Sequence, residues 1–344
     1  RVSRNLNISI MKPNIFSIAT KELSQDGFFT WLLKWGAPEN EKIDSKLFKC
    51  AQNFIKLLLS THNVEINEIT EVDAGRQWEN IDIWSKINNE YLIIIEDKTF
   101  TVEHSNQLEK YKKTAADWCE KNNHKLICIY LKTGVQSKSS LEKIRNKGFQ
   151  IIDRKELITF FEKNVVDNDI YNEFVENLNS LERSINSFET LPIKEWKPDS
   201  WLGFYQFLDT KLEGNDWQYV PNPSGGFLGL WWHFLKWKDY DVYLQIEQGN
   251  LCFKIGGVSK NHSSVRNEWF SVLSKQIKSE NLVEIKKPPR YGKGYFMTVG
   301  IVRREDWLGQ DDSILDKEQV IRNLKKYEDF LSNCVKQSNT ENKV

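Results

Sequence analysis

Three residues could carry chemistry together. Asp82 lies in Asn80-Ile81-Asp82-Ile83-Trp84, while Glu96 and Lys98 lie in Ile93-Ile94-Ile95-Glu96-Asp97-Lys98. Both segments read as strands. Side chains alternate along a strand, so Glu96 and Lys98 share a face about 6–7 Å apart and Asp97 points away. Two carboxylates with a lysine beside them suit divalent-metal hydrolysis of a phosphodiester. The carboxylates fix a hard cation, Mg²⁺ or Mn²⁺, which keeps some of its waters and lowers the pKa of the one that attacks. The lysine can orient or deprotonate that water and offset charge on the phosphorus. The bland alternative is a cross-strand salt-bridge cluster on a solvated sheet face. Carboxylates that end the Ile93–Ile95 run would be costly to bury without a cation, which weighs against it.

Strand register decides whether the three meet. With a two-residue loop of Asn88-Asn89, Asp82 falls opposite Ile95 and faces away from Glu96. With Asn88-Asn89-Glu90 as the loop, Ile87 pairs with Tyr91, Trp84 with Ile94 and Asp82 with Glu96. Opposed residues point to the same side, so only the second register, or an equivalent bulge, assembles the site. The expectation is the three-residue loop.

The elements that must position this hairpin follow from periodicity. Glu22 to Trp35 carries Phe28, Trp31, Leu32 and Trp35 at helical spacing, and Pro38 closes it. A second helix starts at Asp44, a plausible N-cap, and runs through Phe48, Ala51, Phe54, Ile55 and Leu58. Val64 to Val72 alternates as a strand would, with Gly75 as its break. Val102 to about Lys121 is helical, with Leu108, Tyr111, Ala115 and Trp118 on one stripe. Leu126 to Leu131 is a continuous apolar run suited to a strand buried on both faces. Ile151-Ile152 is a short last strand, and helical patterns at 155–163 and 171–186 end the unit.

Composition bounds the rest. The chain has 344 residues, which at about 150 per domain suggests two. Lys plus Arg total 48, as do Asp plus Glu, so a histone-like polycation is excluded but a local basic groove is not. The five cysteines form no C-x-x-C pair, so neither a disulfide framework nor a zinc ribbon is encoded. No apolar run approaches the roughly 20 residues of a membrane span. With no secretory leader visible, the reading is a reducing, cytoplasmic compartment. Met11 is read as the native start, with residues 1–10 upstream of it.

Asp82, thirteen intervening residues, then Glu96-x-Lys98 resembles the PD-(D/E)XK nuclease superfamily, with Ile81 in place of the eponymous proline. Glu22-Leu-Ser-Gln-Asp-Gly-Phe-Phe-Thr-Trp-Leu-Leu is similar to the N-terminal helix of one bacterial branch, and Gln107-Leu-Glu-Lys-Tyr111 to that branch's helix after the lysine strand. The likeness covers roughly residues 14–180. It implies a restriction-endonuclease-like α-β-β-β-α-β core in an α/β fold. It also implies that Asp82 and Glu96 ligate Mg²⁺ or Mn²⁺, that Lys98 activates water, that Glu22 assists the metal through water, and that Gln107 positions water or phosphate. The branch often has His-Ser where this chain has Gln25-Asp26, so Asp26 competes with Glu22 one helical turn away. A Glu in a helix's first turn is also ordinary dipole complementation. Tyr111 reads as core rather than site, Asp97 as facing solvent or capping a neighbour, and His104 as a surface residue near Gln107.

Pro192 and Pro198 mark a boundary within Glu189 to Asp199, giving a nuclease domain over 11–188 and a C-terminal α+β domain over 199–337 with an antiparallel sheet. In that second part a helix is expected near 201–212, strands at 229–237, 241–247, 251–258 and 295–302, and helices at 265–279 and 317–336, with Ser338 to Val344 fraying. Trp231-Trp232-His233-Phe234, Trp237, Tyr240 and Tyr243 read as sheet core in preference to a base-stacking platform. Lys286, Lys287, Arg290 and Lys293, in a loop with Tyr291, are the candidates for phosphate contact. Gly292-Lys293-Gly294 lacks the third glycine of a nucleotide fingerprint, and Asn261-His262-Ser263 is a sequon without meaning in the cytoplasm. The expected activity is Mg²⁺-dependent endonucleolytic cleavage of DNA, possible as a homodimer, in restriction or phage defence by analogy. The rival readings are a catalytically silent binder of nucleic acid or protein and an RNA-directed nuclease. Alanine at Asp82, Glu96 or Lys98 is expected to abolish cleavage and leave the fold intact.

Overall fold

A computed structural model describes residues 13–99, 101, 106–222, 225–247, 249–290 and 292–341. Met11, His104 and Tyr291 therefore lie outside the described residues. The chain divides into two compact units, residues 1–135 with 141–183, and residues 136–140 with 184–344.

In the first unit a short helix α1 (Ile15–Ile18) precedes α2 (Glu22–Trp35) and α3 (Ser45–Ser60). Asp44 caps α3 as expected, accepting from Lys46 N and Leu47 N at 3.1 and 3.0 Å. Three antiparallel strands follow: β1 (Val72–Trp78), β2 (Ile81–Ile87) and β3 (Tyr91–Lys98). Then come α4 (Gln107–Asn122), β4 (Lys125–Lys132), α5 (Lys138–Asn146), β5 (Gln150–Asp153), α6 (Arg154–Lys163) and α7 (Asp169–Ile185). β4 pairs parallel with both β3 and β5, so the sheet is mixed, in the order β1-β2-β3-β4-β5. One apolar cluster fills the space between one sheet face and the helices α2, α3, α6 and α7. A smaller one, around Leu92, Ile94 and Tyr130, lies between the other face and α4. The central strands are thus covered on both sides, which is why Leu126–Leu131 reads as an unbroken apolar run.

The hairpin takes the register that assembles the site. Ile87 pairs with Tyr91, Trp84 with Ile94 and Ile83 with Ile95. Asn88 and Asn89 both adopt positive φ in the loop, as asparagine tolerates. Residues 64–71 are not the strand their alternation suggests; regular pairing begins only at Val72. The Asn88 side chain accounts for the difference. Its Oδ1 accepts from Thr70 N and Glu71 N, and its Nδ2 donates to Glu68 O, the backbone groups a strand partner would otherwise use.

Gly75 is also not a break. It sits inside β1 opposite Trp84, where a Cβ would lie 2.6 Å from the indole. The missing side chain lets Trp84 lie flat across the neighbouring strand.

The second unit opens with a helix α8 (Pro198–Asp209) and carries a five-stranded antiparallel sheet. Its strands are β6 (Asp216–Val220), β7 (Phe227–Trp237), β8 (Tyr240–Glu247), β9 (Asn250–Gly256) and, after α9 (His262–Glu280), β10 (Met297–Val302). The short α10 (Arg304–Trp307) and long α11 (Lys317–Glu341) complete it. β6 was not legible in the sequence. Helix α11 runs past the expected fraying point, because Ser338 is still buried. The division falls at Arg183/Ser184, ahead of the prolines, because buried Phe188 packs on Trp196, Phe204 and Phe207. Trp232 and Trp237 are core, as expected, whereas Phe234 is exposed and stacks on Tyr243 at 4.6 Å. All five cysteines are free and buried. Among the described residues no helix is long and apolar enough to cross a membrane.

By β-propensity alone, Gly75→Val would strengthen β1. The Trp84 contact reverses that expectation: the variant should lose about 1–3 kcal/mol through overpacking, read as a lowered midpoint in urea denaturation.

Candidate active site

Strand β3 brings the candidate residues to one place because its C-terminal end carries ionisable groups on both faces. Glu96 and Lys98 point to the face shared with Ile94, and Asp82 reaches the same position from β2. The Lys98 ammonium stands 2.7 Å from Glu96 Oε1 and 3.2 Å from Asp82 Oδ2, and it donates to Asp97 O at 3.0 Å. Asp82 Oδ2 also accepts from Asp97 N at 3.2 Å, which ties the two strands beyond their last ladder pair.

Burial sets the electrostatics. Glu96 is 1% exposed, and its burial with the Asp82 charge beside it pushes its carboxyl up to about 8. Burial pulls the Lys98 ammonium down, but the charges of Glu96 and Asp82 outweigh this and hold it above the ordinary lysine range. Glu96 Oε2 is buried and accepts no hydrogen bond. Lys98 is therefore the counter-charge of a buried carboxylate as well as a candidate catalytic group. Its removal would strain the fold as well as the chemistry, against the expectation that Lys98→Ala leaves the fold intact.

The other face of β3 corrects one expectation. Asp97 does not face solvent: it is 0% exposed beneath α2. Gln25 Nε2 donates to its Oδ1 at 2.5 Å, and the buried Asp26 carboxyl lies close enough to act on it electrostatically. Burial and the Asp26 charge raise the Asp97 carboxyl well above the usual carboxylate range; burial and the Asp82 charge bring Asp26 to about 6. The apolar run before Glu96 already signalled this, since a strand covered on both faces hides whichever residue follows it.

Glu22 and Asp26 divide the work of α2. Glu22 Oε1 accepts from Thr99 N at 2.8 Å and Thr101 Oγ1 at 2.8 Å, so its carboxylate holds two residues just past the end of β3. Burial opposes its ionisation, but the Thr99 amide, the Thr101 hydroxyl and the Lys98 charge keep it below the usual value. Asp26 is the α2 carboxylate whose charge interacts with Asp82.

The same two residues are held from β4 by Lys132, a residue the sequence did not single out. Its Nζ donates to Thr99 O and Thr101 O at 3.0 and 2.6 Å, and burial lowers its pKa to about 8. Gly134 completes the clamp, since a Cβ there would meet Thr99 O at 1.9 Å.

Gln107 opens α4 and donates to the Tyr111 hydroxyl at 2.7 Å. Tyr111 is buried in the α4 cluster, as expected. Burial raises its phenol, and Glu96 and Asp82 contribute to the same shift. Lys286, Lys287, Arg290 and Lys293 are all exposed in the second unit, each outside a helix or strand. Lys286 forms an isolated backbone bridge with Ile301, and Arg266 Nη1 donates to Gly292 O.

Asp82 and Glu96 supply hard oxygen donors around a place where the Lys98 ammonium already sits, and the buried Glu96 Oε2 accepts no hydrogen bond. Among the described residues no group of three or more His, Cys, Asp or Glu is arranged to hold a metal. A divalent ion here would take the two carboxylates and complete its shell with water or phosphate, as Mg²⁺ commonly does.

Neither the curated proteins nor the solved structures gave a match to the chain. A family model of the PD-(D/E)XK nuclease superfamily matches residues 13–191, just over half of the chain and nearly the whole of the unit that carries Asp82, Glu96 and Lys98. On that match, the chain belongs to the PD-(D/E)XK nuclease superfamily.

Proposed function

We propose that the chain is a Mg²⁺- or Mn²⁺-dependent endonuclease that hydrolyses DNA phosphodiester bonds through Asp82, Glu96 and Lys98. The observation that carries this reading is the Lys98 ammonium held between two carboxylates, one of them fully buried, at the end of a strand covered on both faces. A cross-strand salt bridge serving stability alone would sit better on a wet surface, since burying charge is costly. In this reading the α-β-β-β-α-β succession of the first unit is the catalytic core.

Asp82 and Glu96 would hold the metal, whose chemistry is to acidify a bound water and neutralise charge on the phosphate. Without metal, the charges of Glu96 and Asp82 favour the protonated form of Lys98. Its ammonium would orient the attacking water and stabilise the oxygens of the phosphorane-like transition state. The water oxygen bonds to phosphorus as the bond to the leaving oxygen breaks, and solvent exchanges the two protons involved. Glu22 fixes Thr99 and Thr101 behind Lys98, and Gln107 orients water or phosphate from the start of α4. The exposed Lys286, Lys287, Arg290 and Lys293 would contact the nucleic-acid backbone from the second unit. Neutral net charge suits cleavage that waits on a second copy or partner. A cytoplasmic role in restriction or phage defence follows by analogy with other nucleases of this kind.

Glu96→Gln keeps the shape of the site and removes its charge. It should fold as wild type and lose at least about a hundredfold in plasmid cleavage rate with Mn²⁺, as should Asp82→Asn. Wild-type rates in both would remove the mechanism. Parallel DNA and RNA substrates decide the nucleic acid.

Glu96 also predicts a pH effect on stability without metal. Its folded carboxyl lies above the unfolded value, so its contribution is present below about 4.5 and lost as pH rises through about 8. Asp26 and Asp97 act in the same direction. Melting curves from pH 5 to 8.5 should therefore fall more steeply for wild type than for Glu96→Gln. Saturating Mn²⁺ should reduce the difference by favouring the ionised form.

A further inference from the structure

Beside the candidate active site, the same sheet face carries an open notch of about 130 Å³ lined by Trp78, Trp84, Lys86, Leu92 and Trp118. Its placement follows from strand register. On β2, Asp82, Trp84 and Lys86 alternate onto one face, and on β3 the matching residues are Glu96, Ile94 and Leu92. Trp84 is thus the first side chain beyond Asp82 along that face, about 6–7 Å away at its backbone.

Two local features bring the other indoles in. Gln77 takes a left-handed conformation, φ 56°, just before Trp78. Trp78 then packs with the α4 cluster, although Ala74, four residues earlier on the same strand, packs with the opposite one. Trp118 comes from α4 and meets Trp78 edge-on at 6.0 Å.

All three indoles are only partly buried, while Ile94 and Tyr130 of the cluster they pack against are fully covered. Lys86 closes the rim, its Nζ 5.4 Å from the Trp84 ring centroid and 2.7 Å from Asp73 Oδ2.

We propose that this notch receives one unpaired nucleobase of the substrate, next to the phosphodiester that the neighbouring carboxylates and lysine act on. The inference rests on the nuclease reading above and deepens it, since it assigns the enzyme a strand that is locally single-stranded or has a base turned out. Three observations favour a base as occupant. The walls are flat π-surfaces, which stack with any base. The size suits one base and no more: a closed cavity of about 150 Å³ takes up one benzene, and in this open notch of about 130 Å³ the second ring of a purine would remain at the mouth. The notch also lies on the sheet face that carries Asp82 and Glu96, with its wall residue Trp84 two residues along β2 from Asp82. A fully stacked duplex offers no base face to such a surface, so the base must leave the stack.

The test uses the full chain without divalent ion and 12-nucleotide single strands, DNA or RNA, with 2-aminopurine placed at each position in turn. Stacking on an indole quenches this base. Wild type should quench it at one position by at least about twofold. Asp82→Asn and Trp118→Phe should keep the effect, and Trp84→Leu and Trp118→Leu should lose it.

In a second arm needing no variant, an abasic residue at the quenched position should slow metal-dependent cleavage about tenfold, within the range one stacked base contributes. No quenched position, or full quenching in Leu variants that melt as wild type does, would overturn the notch whether or not cleavage is seen. Quenching without cleavage would leave the notch standing and remove the nuclease reading. The arm that quenches, DNA or RNA, identifies the nucleic acid.

Discussion

The ion pair between Lys98 and Glu96 is the constraint on which the first unit is arranged. A carboxylate with no exposed surface is tolerated in a sheet only when a cation or a proton accompanies it. Lys98 supplies the cation from two residues along the same strand, and Asp82 supplies a second charge from the neighbouring strand. This works because Lys98 is itself anchored. Its main chain leads into Thr99 and Thr101, held by Glu22 from α2 and by Lys132 from β4, with Gly134 leaving space for Thr99 to pass. The helix before the sheet and the strand after the crossover therefore both act on the position of one ammonium.

Much of this was legible in the sequence, for identifiable reasons. Alternation along Asp82–Ile87 and the apolar run Ile93–Ile95 gave the hairpin, and matching apolar positions across it gave the register. Periodicity gave α2 and α3, and an unbroken apolar run gave the interior strand β4, because those elements bury one stripe or both faces.

What escaped was decided by side chains acting on a distant backbone. Residues 64–71 alternate like a strand but yield their hydrogen bonds to Asn88. Gly75 looks like a break until the indole of Trp84 is placed on it. Alternation shows only that Asp97 points away from Glu96, which fits solvent or a neighbour to cap; that α2 covers that face is a tertiary fact alternation does not carry. Lys132 carries no motif, and its meaning comes only from the parallel register that sets it beside Lys98.

The two units differ in how their aromatic residues are used. In the second, Trp232 and Trp237 fill the core of the antiparallel sheet, and the Trp232 indole donates to Glu328 of α11. In the first, three indoles gather at a sheet edge without closing over it. Aromatic abundance in the composition does not distinguish the two cases. Strand register and a left-handed residue at the end of β1 do.

Gly75 links these observations in a way that bears on how such a protein can change. It has no side chain, touches no catalytic group and lies on the outermost strand of its sheet, yet the attitude of the Trp84 ring depends on it. The outermost strand thus sets the attitude of a ring on the same strand as Asp82, one strand away from Glu96 and Lys98, so a change at the sheet edge can reach the surroundings of the candidate site without altering any of its ionisable groups.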